Sequence, residues 1–397
     1  MTPLPPLVDP VATLTHDEVA RYSRHLVLPD LGLAGQRRLK TARVLVIGAG
    51  GLGSPVLLYL AAAGVGTIGI VEFDVVEESN LHRQVIHGQS DIGRSKAASA
   101  RDAIAETNPH VRVELHEHRL TAENAVELFG RYDLVVDGTD NFATRYLVND
   151  AAVLARVPYV WGSIFRFEGQ VSVFWDAAPD GRGLDYRDLY PDPPPAGTVP
   201  SCAEGGVLGV LCASVGSVMA TEAIKLLTGV GESLLGRVML YDAMAMRYRT
   251  VEVRRDPART PVTALVDYEA LCGVAAEPAT SDAAEPDRAV QDTVSATELR
   301  ARLGAGESVA LIDVREPVEW DIAHIDGATL IPLGDIESGT GIDRVPRDRP
   351  AVLYCKTGIR SARALAALRR TGFTDVRHLE GGIASWTREI DPSLPVY

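Results

Sequence analysis

The sequence Gly-Ala-Gly-Gly-Leu-Gly occupies residues 48–53 and follows a short apolar run, Val44-Leu45-Val46-Ile47. A helix-like segment follows from Ser54 to Ala63, with Pro55 in its first turn, where proline is tolerated. Strand, glycine-rich turn and helix in this order are typical of a nucleotide-binding fold. Glycines let backbone approach a phosphate closely, and the N-terminus of a helix offers it free N–H groups. The predicted phosphate contacts are therefore Gly48, Gly50, Gly51 and Gly53; the alternative is a turn that only packs helix on strand.

Length, charge and cysteine content limit the classes of protein to which this chain can belong. With 397 residues it is longer than one typical core, so two domains are expected. The formal net charge of −14 argues against nucleic acid or an anionic membrane as the main partner. The four cysteines lack paired spacing, which indicates individual thiols in a reducing compartment, and we expect a cytoplasmic protein.

Two apolar stretches, 56–71 and 205–220, are candidates for membrane spans. Both fall short of the roughly 20 residues that a bilayer requires, so both are expected in a soluble core. Residues 1–10 contain no basic segment followed by a long apolar one, and no secretory signal is predicted.

Charged residues after the glycine turn are suited to the rest of a nucleotide. Glu72 ends an apolar strand about 20 residues beyond the turn, where such folds place an acid that accepts the ribose hydroxyls. Arg83 can hold a polyphosphate bidentately, and Lys96 opens the next predicted helix as a point charge for phosphate. Taken singly, each of these residues is better interpreted as a surface charge.

A carboxylate follows the next apolar strand, 133–137, in the sequence Gly138-Thr139-Asp140-Asn141. Such a position lies on the ligand edge of an open α/β sheet. Magnesium usually binds one or two carboxylates together with substrate phosphates, so Asp140 is a candidate Mg²⁺ ligand. The alternative is that Asp137 or Asp140 only caps the helix predicted from Ala143.

Two further segments of the first domain carry candidate residues. Thr15 and Glu18 have the spacing of a capping box, and the helix that they open places Arg21 and Arg24 on one face. The alternative for these arginines is a solvated basic patch. The long proline-rich loop 181–200 ends just before Cys202, which is well placed to be reactive.

Composition divides the chain near its third quarter. Residues 275–292 lose aromatics and gain Ala, Pro, Asp and Glu, so they are predicted to be a linker. Beyond the linker, α/β alternation starts again, which predicts a second, smaller domain. Its predicted elements are a helix over 295–303, strands over 309–314 and 351–354, and a helix over 361–371.

The second domain contains the loop Cys355-Lys356-Thr357-Gly358-Ile359-Arg360 between a strand and a helix. Backbone N–H groups in such a loop point inward and form an anion nest. That nest, together with Lys356 and Arg360, favours a thiolate or persulfide at Cys355. Phosphatases of the cysteine type close a loop one residue longer around a larger oxyanion, so this loop suits a persulfide sulfur better. The alternative is a purely structural cysteine.

Taken together, these segments resemble known families. The first domain is similar to the adenylating, ubiquitin-activating-type family that includes MoeB and ThiF, and the second is similar to a rhodanese. The matching segments of the first are RYSRHL (21–26), GAGGLG (48–53), VEFD (71–74), SNLHRQ (79–84), GRSKA (93–97), DGTDN (137–141) and SCAEGGV (201–207). Those of the second are IDVREPVEW (312–320), HIDGA (324–328), CKTGIR (355–360) and LEGGIASW (379–386).

The resemblance implies an α/β chain with a Rossmann-like adenylating domain over 1–274, whose sheet is mostly parallel, and a rhodanese domain over 293–397. It implies that ATP adenylates the C-terminal glycine of a small ubiquitin-like sulfur carrier ending in Gly-Gly, and that sulfur from a donor then forms a thiocarboxylate. Molybdopterin, thiamine, cysteine and tRNA-thiolation pathways all use this chemistry.

The resemblance also assigns roles to individual residues. Arg24 would reach into the other subunit of a homodimer, Cys202 would attack the activated carrier, and Cys355 would carry the persulfide. The implied nucleotide contacts are the glycines of 48–53 at the phosphates, Glu72 at the ribose, Ser79, Asn80, Arg83, Lys96 and Asn141, with Asp140 on Mg²⁺.

The sequence departs from the family at two points. Glu72 replaces the usual ribose-binding aspartate and can accept the same hydrogen bonds from a longer stem. Where many relatives have the first of two CxxC pairs that bind structural zinc, this chain has Asp185-Tyr186-Arg187-Asp188, and no CxxC pair occurs anywhere in it. A Cys₄ zinc site needs four thiolates, so no zinc is expected by that route.

Two other functions compete with adenylation. A nicotinamide-dependent oxidoreductase fused to a rhodanese would use the glycine turn and Glu72 equally well, but a dinucleotide has no triphosphate for Arg83, Lys96 and Asp140. A scaffold that binds a ubiquitin-like protein without chemistry is compatible with the missing zinc cysteines. Candidate residues at every nucleotide position count against the scaffold.

Overall fold

The computed structural model describes residues 3–194, 205–272 and 292–395. Backbone packing divides the chain into two compact units, Met1–Glu277 and Pro278–Tyr397. Of the predicted linker 275–292, only Asp292 lies within the described residues, so that prediction stays a prediction. Each unit is a mostly parallel sheet with helices packed on it, which confirms the expected α/β fold class.

The elements of the first unit follow the order expected of a doubly wound domain. Its described helices are α1 (His16–Arg21), α2 (Ser23–Leu26), α3 (Gly32–Thr41), α4 (Gly53–Ala63), α5 (Lys96–Thr107), α6 (Ala125–Phe129), α7 (Phe142–Ala155), α8 (Gly209–Thr228) and α9 (Tyr268–Leu271). Its described strands are β1 (Arg43–Ile47), β2 (Thr67–Val71), β3 (Arg112–His116), β4 (Leu134–Asp137), β5 (Tyr159–Phe165), β6 (Glu168–Phe174), β7 (Arg237–Asp242) and β8 (Arg247–Glu252). Short 3₁₀ turns lie at Glu78–Asn80, Gln89–Asp91, Pro179–Gly181 and Tyr186–Asp188.

The sheet of the first unit has the strand order β3-β2-β1-β4-β5-β6-β7-β8. The strands from β3 to β5 in this order pair in parallel, and those from β5 to β8 pair antiparallel. Ile47 pairs with both Val71 and Asp137, so the ends of β2, β1 and β4 are level with one another. Because the chain order reverses between β1 and β4, the loops after these strands leave a crevice at the carboxyl edge.

The glycine turn between β1 and α4 depends on close backbone contact. Gly48 has a φ of +89°, a conformation that favours glycine. A Cβ atom on Gly53 would lie 1.9 Å from the carbonyl oxygen of Gly48, so only hydrogen fits there. The turn is therefore as tight as the sequence predicts.

The two apolar stretches are buried, as expected. Residues 56–71 form α4 and β2, and the second stretch lies largely in α8. Among the described helices, α8 is the one long and apolar enough to cross a membrane, but it packs against α4 and β5. A Cβ atom on Gly216 of α8 would lie 2.4 Å from Cγ of Pro55 on α4, so the two helices are in direct contact.

The prediction of one continuous helix after Thr15 is wrong in one respect. The first helix ends at Arg21, and a second helix begins at Ser23. The capping box of Thr15 and Glu18 forms as predicted. The interruption is at Tyr22, whose ring is buried against Gly64 and whose hydroxyl accepts a hydrogen bond from Asn108 Nδ2 at 2.8 Å. Burying this aromatic ring outweighs the continuation of an exposed helix.

The second unit has a five-stranded parallel sheet in the order β11-β10-β12-β13-β9. Its described strands are β9 (Thr293–Val294), β10 (Ala310–Asp313), β11 (Thr329–Leu330), β12 (Ala351–Tyr354) and β13 (Val376–Leu379). Its described helices are α10 (Ala296–Gly304), α11 (Pro317–Ile322), α12 (Leu333–Ser338), α13 (Ile359–Arg370) and α14 (Gly382–Glu389), with a 3₁₀ turn at Ile342–Arg344. Separate apolar clusters cover the two faces of this sheet.

Asp176, Asp185, Asp188 and Arg259 form a buried ion-pair cluster in the first unit. Nη1 of Arg259 lies 2.7 Å from a carboxylate oxygen of Asp185, and Nε lies 3.1 Å from one of Asp188. Asp176 lies 3.8 Å from Nη2 of the same guanidinium. The side chain of Arg259 is 8% exposed, and those of Asp185 and Asp188 are at most 1% exposed. An arginine with two aspartates thus cross-links the segment 185–188.

Replacing Arg259 by alanine is expected to destabilise the first unit by about 3–5 kcal/mol, because it leaves buried carboxylates without their counter-ion. The matched control is Arg255→Ala, which removes a half-exposed partner of Asp176 and should cost less than about 1 kcal/mol. Hydrogen exchange of the β5 and β6 amides in increasing denaturant measures the loss of stability in both variants. Equal losses of protection would contradict a special role for Arg259.

Candidate active sites

A cavity of about 870 Å³ opens at the carboxyl edge of the first sheet. The residues lining it include the predicted Gly48, Gly50, Gly51, Glu72, Arg83, Lys96, Asp140 and Asn141. Gly53 supports the turn from behind, as described above. Residues that are far apart in sequence are therefore brought together around one space, which a turn that only packs a helix would not require.

Glu72 is buried and is engaged by the backbone of the glycine turn. One carboxylate oxygen accepts a hydrogen bond from Ala49 N–H at 2.9 Å, and the other accepts from Phe73 and Asp74 N–H at 2.9 and 3.0 Å. The predicted ribose ligand thus also fixes the shape of the turn. Its longer stem, compared with aspartate, lets it lie at the end of β2 and reach back to Ala49.

His87 is a site residue that the sequence reasoning missed. Its Nε2 lies 3.0 Å from the Ala49 carbonyl oxygen, and its Nδ1 lies 2.8 Å from Ser99 Oγ. Burial lowers the pKa of His87, which favours a neutral ring that donates to Ala49 and accepts from Ser99. The peptide groups around Ala49 are therefore held from both sides, by Glu72 and by His87. A histidine three residues after the SNLHRQ segment was the available signal.

Gln84 is a second missed residue, although it ends the SNLHRQ segment. Its side chain packs beside Gly50 and lines the cavity. The residue is 5% exposed, and its Oε1 has no hydrogen-bond partner among the described residues. Because an unpaired buried carbonyl is costly, this oxygen is suited to accept a hydrogen bond from a bound molecule.

The predicted cations lie at one side of the cavity. Lys96 begins α5 after its cap Ser95, is buried, and has its Nζ 3.4 Å from an Asp74 carboxylate oxygen. Arg83 Nη1 donates to the Ser79 carbonyl oxygen at 2.9 Å and lies 3.0 Å from His82 Nε2. Both side chains are held by these contacts near the glycine turn.

Ser79, Asn80 and Arg24 are not among the residues that line the cavity. Asn80 Oδ1 accepts from Glu77 N–H at 3.2 Å and caps a 3₁₀ turn, and Ser79 Oγ donates to Glu77. Arg24 is exposed on α2. The roles predicted for these three residues stay predictions.

Asp140 does not cap α7, so that alternative is wrong. The cap is Asn141, whose Oδ1 accepts from Thr144 N–H at 2.8 Å. Asp137 is fully buried and accepts from the N–H and hydroxyl of Thr139, and burial raises its pKa. Asp140 therefore remains as a carboxylate facing the cavity. The described residues contain no group of three or more potential metal ligands, and a magnesium ion that shares its coordination with phosphates needs only one or two carboxylates.

The far wall of the cavity comes from two segments that the sequence reasoning did not single out, 119–123 and 266–269. Arg119 Nη1 lies 3.1 Å from a Glu269 carboxylate oxygen and joins the two segments. Tyr268 donates from its hydroxyl to Asp150 at 2.8 Å, which anchors α9 to α7. The last described helix of the first unit is thus part of the cavity wall.

The cysteines of the first unit have different positions. Cys212 is 1% exposed and lies directly beside Gly51 of the glycine turn. Cys202 lies outside the described residues, so its predicted reactivity stays a prediction.

Cys355 follows β12 in the second unit and is 1% exposed. Gly358 N–H donates to its Sγ at 3.1 Å, which is one contact of the kind that the predicted anion nest requires. The carbonyl groups of Cys355 and Lys356 point the other way and accept from Ile383 and Ala384 N–H at 2.8 and 3.1 Å. The loop is therefore fixed by its carbonyl groups, and the Gly358 N–H is directed toward the sulfur.

Arg360 closes this loop through an ion pair with Glu319 of α11. Its two terminal nitrogens donate to the two carboxylate oxygens at 2.6 and 2.7 Å. Burial on its own would raise the pKa of Glu319, but the Arg360 hydrogen bond, with further help from Glu316 N–H and neighbouring charges, lowers it overall. Arg360 thus anchors α13 to α11, in addition to the positive charge that the sequence predicts near Cys355.

Arg360→Ala is expected to destabilise the second unit by about 3 kcal/mol, because Glu319 then keeps a largely buried charge without its partner. Adding Glu319→Gln should recover part of the loss. Arg363→Ala, three residues along the same helix, breaks the exposed pair with Glu337 and should cost less than about 1 kcal/mol. Pulse proteolysis of the full chain in urea measures each; no recovery in the double variant would contradict this explanation.

Comparison with known proteins supports the resemblance found in the sequence. The model of the ThiF family matches residues 22–262, and that of the rhodanese-like domain matches residues 295–389. The chain is 66% identical over 396 residues to the probable adenylyltransferase/sulfurtransferase MoeZ of Mycobacterium tuberculosis, covering 100% of both chains. It is 55% identical over 268 residues to the sulfur carrier protein adenylyltransferase of Thermus thermophilus, covering 66% of this chain and 98% of that one.

Among solved structures, the chain resembles Escherichia coli MccB crystallised with ATP. The TM-score is 0.54 at 19% identity, covering 66% of this chain and 77% of MccB, which supports the fold alone. The family model covers more than half of the chain, and MoeZ is similar over its whole length. The chain therefore belongs to the ThiF family of adenylating proteins and carries a C-terminal rhodanese-like domain.

Proposed function

We propose that this enzyme adenylates the C-terminal glycine of a small ubiquitin-like sulfur carrier with ATP and then transfers sulfur to it from a persulfide on Cys355. The observation that carries the proposal is that one cavity is lined by the glycine turn, Arg83, Lys96 and Asp140. A second, separate loop in the same chain directs an N–H group at a cysteine sulfur. Relatives named as adenylyltransferases and sulfurtransferases support both halves.

In the first half, the carboxylate of the carrier attacks the α-phosphorus of ATP and pyrophosphate leaves. The glycine N–H groups, Arg83 and Lys96 stabilise the charge that develops on the phosphates, which is catalysis by positioning and electrostatics. Asp140 would hold a magnesium ion, which supplies further neutralisation of phosphate charge when bound. Glu72 and His87 keep the turn in the shape that this requires.

In the second half, the terminal sulfur of the Cys355 persulfide attacks the carbonyl carbon of the acyl-adenylate and AMP leaves. The nest at Gly358 stabilises the sulfur anion before attack. Cys202 then either releases the thiocarboxylate by forming a disulfide with Cys355 or accepts the acyl group earlier. A fused second domain raises the effective concentration of the persulfide near the adenylate.

We also propose a homodimer, in which the exposed Arg24 completes the cavity of the partner subunit. The sulfur donor must be a persulfide source that reaches Cys355. A reducing, cytoplasmic compartment would keep the thiols free. Nicotinamide chemistry is disfavoured, because Lys96 and Asp140 line the cavity with groups that a dinucleotide does not use.

ATP–pyrophosphate exchange with Mg²⁺ tests the first half, using small carrier proteins that end in Gly-Gly. Exchange that depends on the carrier is expected, and the most effective carrier indicates the pathway, with molybdenum cofactor synthesis as one candidate. A folded protein that binds ATP without exchange for any carrier would favour the scaffold.

Asp140→Ala is expected to lower this exchange on the order of 100-fold or more, because the phosphates lose the carboxylate that would hold their metal ion. The matched control is Glu123→Ala, which removes an exposed carboxylate from the far wall of the same cavity and should change the rate only a few-fold. Exchange near the wild-type rate in Asp140→Ala would contradict the metal role.

Cys355→Ser is expected to keep carrier-dependent exchange and to lose formation of the thiocarboxylate, since only the second half needs the persulfide. Mass spectrometry of the carrier measures the product. Cys272→Ser serves as the control for removal of a thiol and should retain both activities. An unchanged yield of thiocarboxylate in Cys355→Ser would exclude Cys355 as the residue that carries the persulfide.

A further inference from the structure

Ser361 and His378 lie behind the sulfur of Cys355 and have no role so far. Ser361, in the first turn of α13, is fully buried. Its Oγ lies 3.6 Å from Cys355 Sγ, 3.0 Å from the Gly358 carbonyl oxygen and 3.4 Å from His378 Nδ1. The Ser361 hydroxyl is therefore within hydrogen-bonding reach of both the sulfur and the imidazole.

The environment of Cys355, Ser361 and His378 combines an apolar cluster with a serine hydroxyl that can both donate and accept. Cys355 belongs to an apolar cluster, and the thiol is enclosed by it on the side of the sheet. A serine hydroxyl has one proton and two lone pairs. While the thiol is protonated, that hydroxyl can donate to Gly358 O; once the sulfur is an anion, it can turn to donate to Sγ and accept from His378. The same serine thus fits both charge states of the sulfur.

The imidazole of His378 is placed to accept a proton. Burial lowers the pKa of His378, while the charges of Asp292 and Glu380 raise it and so oppose burial. Asp292 is itself paired with Arg369 of α13 at 2.5 Å. The neighbours of His378 in the sheet, Leu353 and Thr293, carry no charge. Burial therefore favours the neutral ring while the thiol holds its proton, and the nearby acidic groups favour the imidazolium once it forms.

We propose that Ser361 and His378 relay the thiol proton away from Cys355, so that the buried sulfur becomes the nucleophile that takes up sulfane sulfur. In this step the S–H bond breaks, the proton passes through the Ser361 hydroxyl, and an N–H bond forms at His378 Nδ1, which leaves a thiolate and an imidazolium. Ser361 contacts the reacting sulfur, whereas His378 acts through Ser361 as a positioning residue. This inference rests on the proposed role of Cys355 as the persulfide carrier.

The test is the pH dependence of alkylation of Cys355 by iodoacetamide in the full chain, followed at the Cys355 peptide by mass spectrometry. His378→Ala and Ser361→Ala are each expected to raise the midpoint of the profile by about one pH unit, which slows alkylation at pH 7 about tenfold. The double variant should show the same midpoint as each single variant, because the two residues belong to the same proton relay. His324→Ala, which removes a ring stacked on Trp320 in the same unit, should leave the midpoint unchanged.

His378→Gln separates a proton acceptor from a structural support. Glutamine can keep a hydrogen bond to Ser361 but does not titrate in this range, so it should show the same shift as alanine. An unchanged midpoint in the alanine variants, additive shifts in the double variant, or a normal profile in His378→Gln would each overturn the relay. Alkylation needs neither the carrier protein nor a sulfur donor, so it tests the relay independently of the proposed function. If the midpoints shift as expected but the wild-type protein transfers no sulfur from thiosulfate to cyanide, that result would count against the persulfide role of Cys355.

Discussion

The close contact of Gly48, Gly53 and Gly138 is the constraint on which the first site depends. The Cβ position of Gly53 lies 1.9 Å from Gly48 O, and that of Gly138 lies 3.2 Å from Gly53 N. The ends of β1 and β4 and the start of α4 therefore meet backbone to backbone. This contact places the loop that carries Asp140 beside the glycine turn. Larger residues would push the carboxylate away from the N–H groups of the turn, at which we propose that phosphate binds.

A buried ion-pair cluster ties together another part of the same unit. Arg259 contacts Asp185 and Asp188, and Asp176 lies close by. A tetrahedral zinc site and a guanidinium fork both tie separate backbone segments together at one point. The ion pair is buried, so its strength depends on all partners being present. In this chain the ion pair therefore supplies such a cross-link at the segment 185–188 without any cysteine.

The sequence was sufficient for features with a local signal or a family pattern. The glycine turn, the strand ends at Glu72 and Asp137, the capping box at Thr15 and the loop at Cys355 were all found in this way. The break at Tyr22 was not, because it results from burial against Gly64 and Asn108, which are remote in sequence. His87, Gln84 and the 266–269 segment were missed for the same reason. Their roles come from contacts with the turn and the cavity, and periodicity carries no such information.

The two sites differ in how accessible their reacting groups are. The nucleotide cavity is open, and its charges lie on several segments, including α9, the last described helix before the predicted linker. Tyr268 and Glu269 of α9 line that cavity, and Tyr268 also anchors α9 to α7 through Asp150, so one helix serves both purposes. The sulfur of Cys355, in contrast, is buried and needs local groups to ionise it. Gly358 stabilises the anion once it forms, but an N–H group cannot remove a proton, and that is the task that Ser361 and His378 are positioned to perform.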